Sequence, residues 1–255
     1  MREMEKDGKL IAVVQSRMGS TRLPGKVMKS ICGKPMLLLM LERLSHARLL
    51  DDIVVATTTN KKDDVIAELA QKNGYSLFRG DEFDCLDRHY QAATKFGAKY
   101  VAKITPDCPL IDPGVVDMVL GYFLKNIDKY DYVSNAHPAT FPDGLDVEVV
   151  HYSVLGKACK EAKKAEEREH TTTFIWSQPD LFRIGNVVMQ DGRNLFMKER
   201  WTVDYPEDFE FVKAIYENLY KDGRIFLMDE ILDFLEKRKD IWNINHHLAI
   251  HNAVH

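Results

Sequence analysis

Between Val13 and Lys26 the chain reads Val-Val-Gln-Ser-Arg-Met-Gly-Ser-Thr-Arg-Leu-Pro-Gly-Lys. Three cations (Arg17, Arg22, Lys26), two glycines (Gly19, Gly25) and the hydroxyls of Ser16, Ser20 and Thr21 fall in this one short stretch. Glycine lets backbone N–H groups approach a ligand closely. Successive N–H groups in a turn form an anion-binding concavity, and neighbouring cations suit phosphate oxygens. The stretch therefore reads as a polyphosphate cradle in which Arg17, Arg22 and Lys26 offset the charge of phosphoryl chemistry. It is not a Walker loop. That motif has four residues between its glycines and Ser or Thr after its lysine; here five residues separate Gly19 from Gly25, and Val27 follows Lys26. The plainer alternative is a basic surface turn.

Phosphate chemistry usually recruits a hard cation, and two carboxylates follow apolar runs. Asp107 lies in Thr-Pro-Asp-Cys-Pro-Leu and Asp204 in Trp-Thr-Val-Asp-Tyr-Pro-Glu-Asp. Two such carboxylates can share Mg²⁺ with substrate phosphates. An N-cap ahead of Pro206 is an equal reading for Asp204, and Asp107 could be a turn-former. Gly144–Val150 alternates with period two, which predicts a strand with Asp146 and Glu148 on one face. Glu167-Arg168-Glu169-His170 forms a mixed cluster at a helix start. Asp146, Glu148, Glu169 and His170 are candidate acceptor contacts, with a solvated edge and a capped helix as the alternatives. The tail histidines His246, His247, His251 and His255 lack metal-site context.

The elements that must place these residues alternate in type. Strands are expected at Ile11–Val14, Ile53–Ala56, Tyr75–Phe78, Tyr100–Ile104 and Tyr132–Asn135. Helices are expected from Pro35 to Arg48, Asp63 to Lys72, Cys85 to Phe96 and Pro113 to Leu124. Such alternation implies crossover units and a parallel sheet, with ligands beyond the carboxyl ends of the strands. Further on, a helix from Ser153 to Lys164, a strand from Ile184 to Met189 and a last core strand over Trp201–Asp204 are expected. Helices over Pro206–Tyr220 and Met228–Lys237 follow, and then an arm spanning residues 241–255.

Composition sets bounds. A chain of 255 residues, 45% hydrophobic and 29% charged, suits one large α/β domain. A net charge of −4 gives no basic field for nucleic acid. The longest apolar run, Met36–Leu41, is too short to cross a bilayer. The charged first ten residues do not read as a signal peptide. Four scattered cysteines without a CxxC pair fit a reducing cytoplasm.

Ser16–Lys26 resembles the signature of cytidylyltransferases that activate acidic sugars, such as 3-deoxy-manno-octulosonate and acylneuraminate cytidylyltransferases. The spore-coat polysaccharide branch is the nearer likeness. Its pattern recurs as Leu86-Asp87-Arg88, Thr105–Leu110, Pro142–Glu148, Arg168-Glu169-His170 and Thr202–Asp208. The resemblance implies a nucleotide-diphospho-sugar transferase fold, Rossmann-like, with a mixed, mainly parallel sheet flanked by helices. It implies one nucleotidyltransferase domain over 1–255, with a small acceptor and dimerisation lobe within 141–200, hence a homodimer. It further implies CTP as donor, a sugar-like acceptor and Mg²⁺ as cofactor. By position Arg17, Ser20, Arg22 and Lys26 would hold the triphosphate, with Ser16, Gly19 and Thr21 beside it. Thr57, Thr58 and Arg88 would line the cytidine. Asp107 and Asp204 would bind metal, and Asp146, Glu148 and His170 would face the acceptor. The acidic pair Asp146 and Glu148 would repel an acceptor carboxylate. Two other readings remain: transfer from another NTP to a phosphorylated small molecule, and a non-catalytic nucleotide-sugar-binding domain.

Overall fold

The computed structural model describes residues 7–221 and 224–251. The loop with the three cations leaves the carboxyl end of β1 (Leu10–Gln15), the central strand. Its apolar residues divide by parity. Leu10, Ala12 and Val14 enter one core, and Ile11 and Val13 enter the other. Period-two geometry requires this of a strand covered on both faces. A small hairpin of β2 (Ser30–Ile31) and β3 (Lys34–Pro35) follows, then α1 (Met36–Leu44), β4 (Asp52–Thr58) and α2 (Asp64–Lys72). Next come β5 (Ser76–Gly80), α3 (Cys85–Lys95), β6 (Tyr100–Ile104), α4 (Pro113–Lys125), β7 (Tyr132–Ser134) and β8 (Glu148–His151). The last part holds α5 (Tyr152–Glu161), α6 (Ala165–Glu169), α7 (Thr173–Trp176), β9 (Ile184–Asn186), α8 (Pro206–Leu219), α9 (Met228–Lys237), α10 (Lys239–Trp242) and α11 (His246–His251).

The sheet has seven strands in the order β5-β4-β1-β6-β8-β7-β9. β8 runs antiparallel to both neighbours, and the remaining adjacent pairs are parallel. The fold is therefore mixed and mainly parallel, as expected. The reversal matters for the site. The carboxyl ends of β1, β4, β5 and β6 share one edge, and the reversed β8 brings its first residue there, with Glu148 in register with Lys103.

The structure departs from the sequence reading in four places. The alternating run before Val150 joins the sheet only from Glu148, so Asp146 lies outside a strand. The expected strand over Trp201–Asp204 pairs with none of the sheet strands. It crosses the carboxyl edge instead, where Trp201 N–H donates to the Asp143 carbonyl at 2.7 Å and Val203 N–H to the Asp107 carbonyl at 2.8 Å. Trp201 and Val203 are fully buried, so their apolar character reported burial and not pairing. Gly144 allows the crossing: it sits at φ 110, and a Cβ there would lie 2.7 Å from the Trp201 carbonyl carbon and the Thr202 nitrogen. The strand expected to reach Met189 ends at Asn186. Finally, the segment expected as an arm packs on the body through buried Ile241, Asn245 and Ala249. The last four residues of that arm, His255 included, lie outside the described residues.

Arg200 ties these segments together. Its guanidinium is almost fully buried and donates to both Asp208 oxygens at 2.9 Å and to Asp143 Oδ2 at 3.1 Å. Its carbonyl accepts from Asn245 Nδ2 at 2.9 Å, and the same amide donates to Asp208 Oδ1 at 2.9 Å. Removing one partner of a buried pair leaves a charge without compensation and costs about 3–5 kcal/mol. Arg200→Leu is expected to lose stability on that scale in denaturant titration. A loss under about 1 kcal/mol, the range of exposed pairs, would show that the network does not hold the carboxy-terminal half in place.

Candidate active site

A cavity of about 340 Å³ opens at the carboxyl edge of the sheet, between the loop after β1, the start of α3, the turn after β6 and the end of α6. Lys26 forms its inner wall. Gly25, at φ 67, takes the left-handed conformation that glycine adopts without penalty, and turns the chain into a single 3₁₀ turn that begins at Lys26. Lys26 is 8% exposed. It donates to Asp107 Oδ2 at 3.1 Å, Asp204 Oδ1 at 3.0 Å and the Val203 carbonyl at 2.6 Å. Three protons thus meet three acceptors. Burial works against the charge, but Asp107 and Asp204 outweigh it and hold the ammonium above the ordinary lysine pKa. Burial would raise the Asp204 carboxyl; Lys26, Arg22 and Arg200 together hold it below the usual carboxylate range.

The N-cap position of α8 belongs to Tyr205, not Asp204. Asp208, in the first turn of α8, reaches back and accepts the N–H groups of Asp204 and Tyr205, each at 3.0 Å. The Asp204 side chain turns to the cavity, where Arg22 Nη2 stands 2.9 Å from Oδ1 and the Arg22 guanidinium lies 5.0 Å from the centre of the Tyr205 ring.

The rest of the loop is braced from outside the cavity. Met18 N–H donates to Asp63 Oδ1 at 2.7 Å, and the Met18 carbonyl accepts from Ser20 and Gly25. Asp63 is fully buried and also takes the Thr58 hydroxyl. Thr58 therefore supports the loop from below, and Thr57 is buried with no protein partner for its hydroxyl. Neither lines the cavity, so the expectation that both face the cytidine is corrected. Period two points the two side chains to opposite faces of the sheet, with the Thr58 hydroxyl on Asp63. Ser16, Arg17, Gly19, Ser20, Thr21, Arg22 and Lys26 do line it, with Arg88 and Asp107. Arg17 Nη1 donates to the Glu82 carbonyl at 3.3 Å, and Nη2 stands 3.8 Å from Glu169. Arg88 is buried and clasps the turn after β5 through the Asp81 and Glu82 carbonyls.

The four acceptor candidates divide. Glu169 and His170 are exposed at the end of α6 and line the cavity. Arg168 fixes that helix by donating to Asp84 (Nε, 2.9 Å) and to the Cys159 carbonyl at 2.5 Å. Asp146 and Glu148 do not line it. Glu148 is buried and accepts from Lys103 Nζ, the Tyr132 hydroxyl and the Thr172 hydroxyl, each at 2.5 Å. Burial would raise its pKa, and Lys103 with the Thr172 and Tyr132 hydroxyls more than reverses this. The expected repulsion of an acceptor carboxylate therefore does not come from Glu148, whose charge Lys103 balances. Asp146 is half-buried. Burial, then the nearby charges of Asp143 and Glu148, push its carboxyl up to about 7; burial also pushes Asp143 up to about 6 against the pull of Arg200.

The sequence reading missed Gln15, Cys85, Lys103 and Thr105 among the lining residues. Lys103 carried a signal, as the one charge in the apolar run Tyr100–Ile104; lysine is rarely buried unless paired. Gln15 accepts from the Thr171 hydroxyl at 3.3 Å and carried none.

Among the described residues no three His, Cys, Asp or Glu side chains cluster to hold a metal unaided. Asp107 and Asp204 converge on a single ammonium, however. That two-carboxylate set is what Mg²⁺ uses when phosphates complete its shell, so these residues fit the ion.

Likeness to known proteins extends over nearly the whole chain. The cytidylyltransferase family model matches residues 11–239. The uncharacterised protein MJ1063 of Methanocaldococcus jannaschii is 38% identical over 93% of this chain and 94% of its own length. The spore coat polysaccharide biosynthesis protein SpsF of Bacillus subtilis is 30% identical, covering 82% of this chain and 86% of its own. A cytidylyltransferase structure from Leptospira borgpetersenii superposes with a TM-score of 0.86 at 32% identity, over 91% of this chain and 96% of that one. A CMP:2-keto-3-deoxy-manno-octonic acid synthetase complexed with CTP shares the fold at a TM-score of 0.62 and 18% identity, over 83% of this chain and all of that one. With the cation loop, the paired carboxylates and the mixed sheet all in place, the chain belongs to the cytidylyltransferase family of nucleotidyltransferases.

Proposed function

We propose that this enzyme transfers CMP from CTP to a sugar-like acceptor and releases pyrophosphate, in the biosynthesis of a cell-surface polysaccharide or glycoconjugate. The observation that carries the reading is the convergence of Lys26, Asp107 and Asp204 at one point of the cavity wall, with Arg22 beside them. The donor and acceptor classes are supported by the names of the relatives, which include a spore coat polysaccharide protein and 3-deoxy-manno-octulosonate cytidylyltransferases.

In this reading an acceptor oxygen forms a bond to the α-phosphorus while the bond to the β-phosphate oxygen breaks. Arg17, Arg22 and Lys26 bind the triphosphate and meet the charge that moves onto the leaving pyrophosphate. Mg²⁺, held by Asp107 and Asp204, would neutralise phosphate oxygens and orient the leaving group. The hydroxyls of Ser16, Ser20 and Thr21 and the backbone at Gly19 shape the cradle. Arg88 stands on the nucleotide side. Glu169 and His170 flank the acceptor, whose proton leaves to a base at the cavity mouth, where His170 is exposed. Glu148 acts through Lys103, which it holds at the cavity floor, and Asp146 serves the same side. A homodimer through the 141–200 lobe is proposed, supported by the exposed apolar side chains of Leu181, Val188 and Phe196 in that stretch. No described helix is long and apolar enough to cross a membrane, and the four free cysteines support a place in the cytoplasm.

Thermal shift tests the donor. At a hundred times Kd a ligand that binds the folded state stabilises it by about 2.7 kcal/mol. CTP with Mg²⁺ is expected to raise the melting temperature more than UTP, ATP or GTP, and an equal shift with UTP would remove the cytidine assignment. Arg22 is half exposed, so Arg22→Ala should leave the fold intact. Pyrophosphate release from CTP over a panel of sugar acids and sugar phosphates should fall roughly 10²–10³-fold in this variant, as for loss of one preorganised donor; an unchanged rate would take Arg22 out of the cradle. The raised Asp146 pKa gives a pH test. The folded state holds this proton more tightly than the unfolded chain does. Its stabilisation is full below the ordinary carboxylate pKa of 3.8 and is lost as pH rises through about 7. Asp146→Asn, unfolded by denaturant at pH 5 and pH 8 in chelator, should lose less stability across that interval than the parent.

A further inference from the structure

We infer that Lys26 is an internal counter-ion that occupies the place of the divalent cation between Asp107 and Asp204 until nucleotide arrives, so that metal and triphosphate enter together. The inference rests on the nucleotidyltransferase reading above and adds an order of binding to it.

The ammonium sits between the two carboxylates with three oxygen acceptors around it. One oxygen of each carboxylate that would hold the metal, Asp107 Oδ2 and Asp204 Oδ1, is bound to Nζ, and the Val203 carbonyl closes the third side at 2.6 Å. That carbonyl belongs to the residue before Asp204, so the segment presenting the carboxylate also fixes the cation. A lone divalent ion arriving here meets Lys26 in its place, Arg22 at 2.9 Å from Asp204 and Arg200 at 3.5 Å from the same carboxylate. Asp143 and Asp208 face this cluster too, but both are engaged by Arg200. Arg200 is shared among Asp143, Asp208 and Asp204, so Lys26 and Arg22 are the cations that balance Asp107 and Asp204, and their contacts at 2.9–3.1 Å oppose a further positive ion at the same oxygens. Expelling the ammonium without a replacement anion would strand a buried charge. A triphosphate removes both obstacles: it brings negative charge and supplies new acceptors for Nζ. The Lys26 side chain already lines the cavity, and its flexible four-carbon stem lets Nζ cross to phosphate oxygens while the loop stays anchored at Asp63.

The test uses the full-length protein stripped with chelator and Mn²⁺ as the probe, read by electron paramagnetic resonance of free Mn²⁺ and by melting temperature. Without nucleotide the parent protein should bind Mn²⁺ weakly and show no thermal shift. Lys26→Met should bind it roughly ten- to a thousandfold more tightly, the span expected for removing one unit charge at contact distance, and should be stabilised by it. With a non-hydrolysable CTP analogue the parent should gain tight Mn²⁺ binding. If Lys26→Met binds Mn²⁺ no better than the parent while the analogue still promotes binding, the counter-ion role is overturned and the metal site stands. If Mn²⁺ binds in neither condition, the metal-site reading falls with it. Should Lys26→Met fail to fold, the parent alone decides, because Mn²⁺ affinities equal with and without the analogue would overturn the proposal.

Discussion

A buried ammonium gripped by two carboxylates and a carbonyl is the contact on which this molecule's chemistry depends. Lys26 reaches Asp107 across 81 positions of sequence and the Val203–Asp204 segment across 177 and 178. Each of the three segments is awkward alone. The loop carries a density of positive charge, and the Asp107 turn and the Asp204 crossing carry carboxylates that burial opposes. Together they cancel, which is why charged groups can form the inner wall of a cavity. Neighbouring features serve this contact. Gly25 turns the lysine inward, Asp63 anchors the loop, and Arg200 and Asp208 fix the segment that bears Asp204.

The reversal of β8 makes a second, parallel arrangement. In an all-parallel sheet a strand beginning with Glu148 would start at the far edge, away from the ligand. Running the other way, it sets Glu148 opposite Lys103 at the carboxyl edge. Tyr132 and Thr172 then use the other carboxylate oxygen. A lysine can stand in the sheet interior because that pairing is complete. Both charged centres of the cavity floor thus follow one rule: a cation aimed at the ligand, with its counter-charge behind it.

Much of this was legible in the residues. The strand–helix alternation through β6 follows from apolar runs and helix punctuation, and the loop after β1 announces itself by its cations and glycines. Asp107 was legible because it closes a strand inside turn chemistry. The failures share a physical origin. Trp201–Val203 is apolar because it is buried, and burial in a crossing segment looks the same in sequence as burial in a strand. Thr57 and Thr58 stand at a strand end where ligands gather, but strand parity sends them to opposite faces, Thr57 buried and Thr58 on Asp63. Glu148 looked free because its three donors come from Lys103, Tyr132 and Thr172, none of them near it in sequence. How α8 starts is likewise a matter of three-dimensional reach: Tyr205 takes the N-cap position, and Asp208 in the first turn, not Asp204, accepts the two N–H groups before the helix.

The span between Lys26 and Asp204 also bears on how the protein is made. Chains emerge amino-terminus first, and the parallel core of β1, β4, β5 and β6 with its helices lies within the first 104 residues. That part can collapse while the rest is still in the ribosome. It then holds the cationic loop without most of its balancing charge: no Val203 carbonyl, no Asp204, and no Arg200–Asp208 clamp to position them. The ligand site is therefore among the last parts of the domain to close during synthesis. A chain truncated before residue 203 would keep a recognisable sheet and the whole glycine–cation loop, and yet carry a lysine with two of its three partners missing.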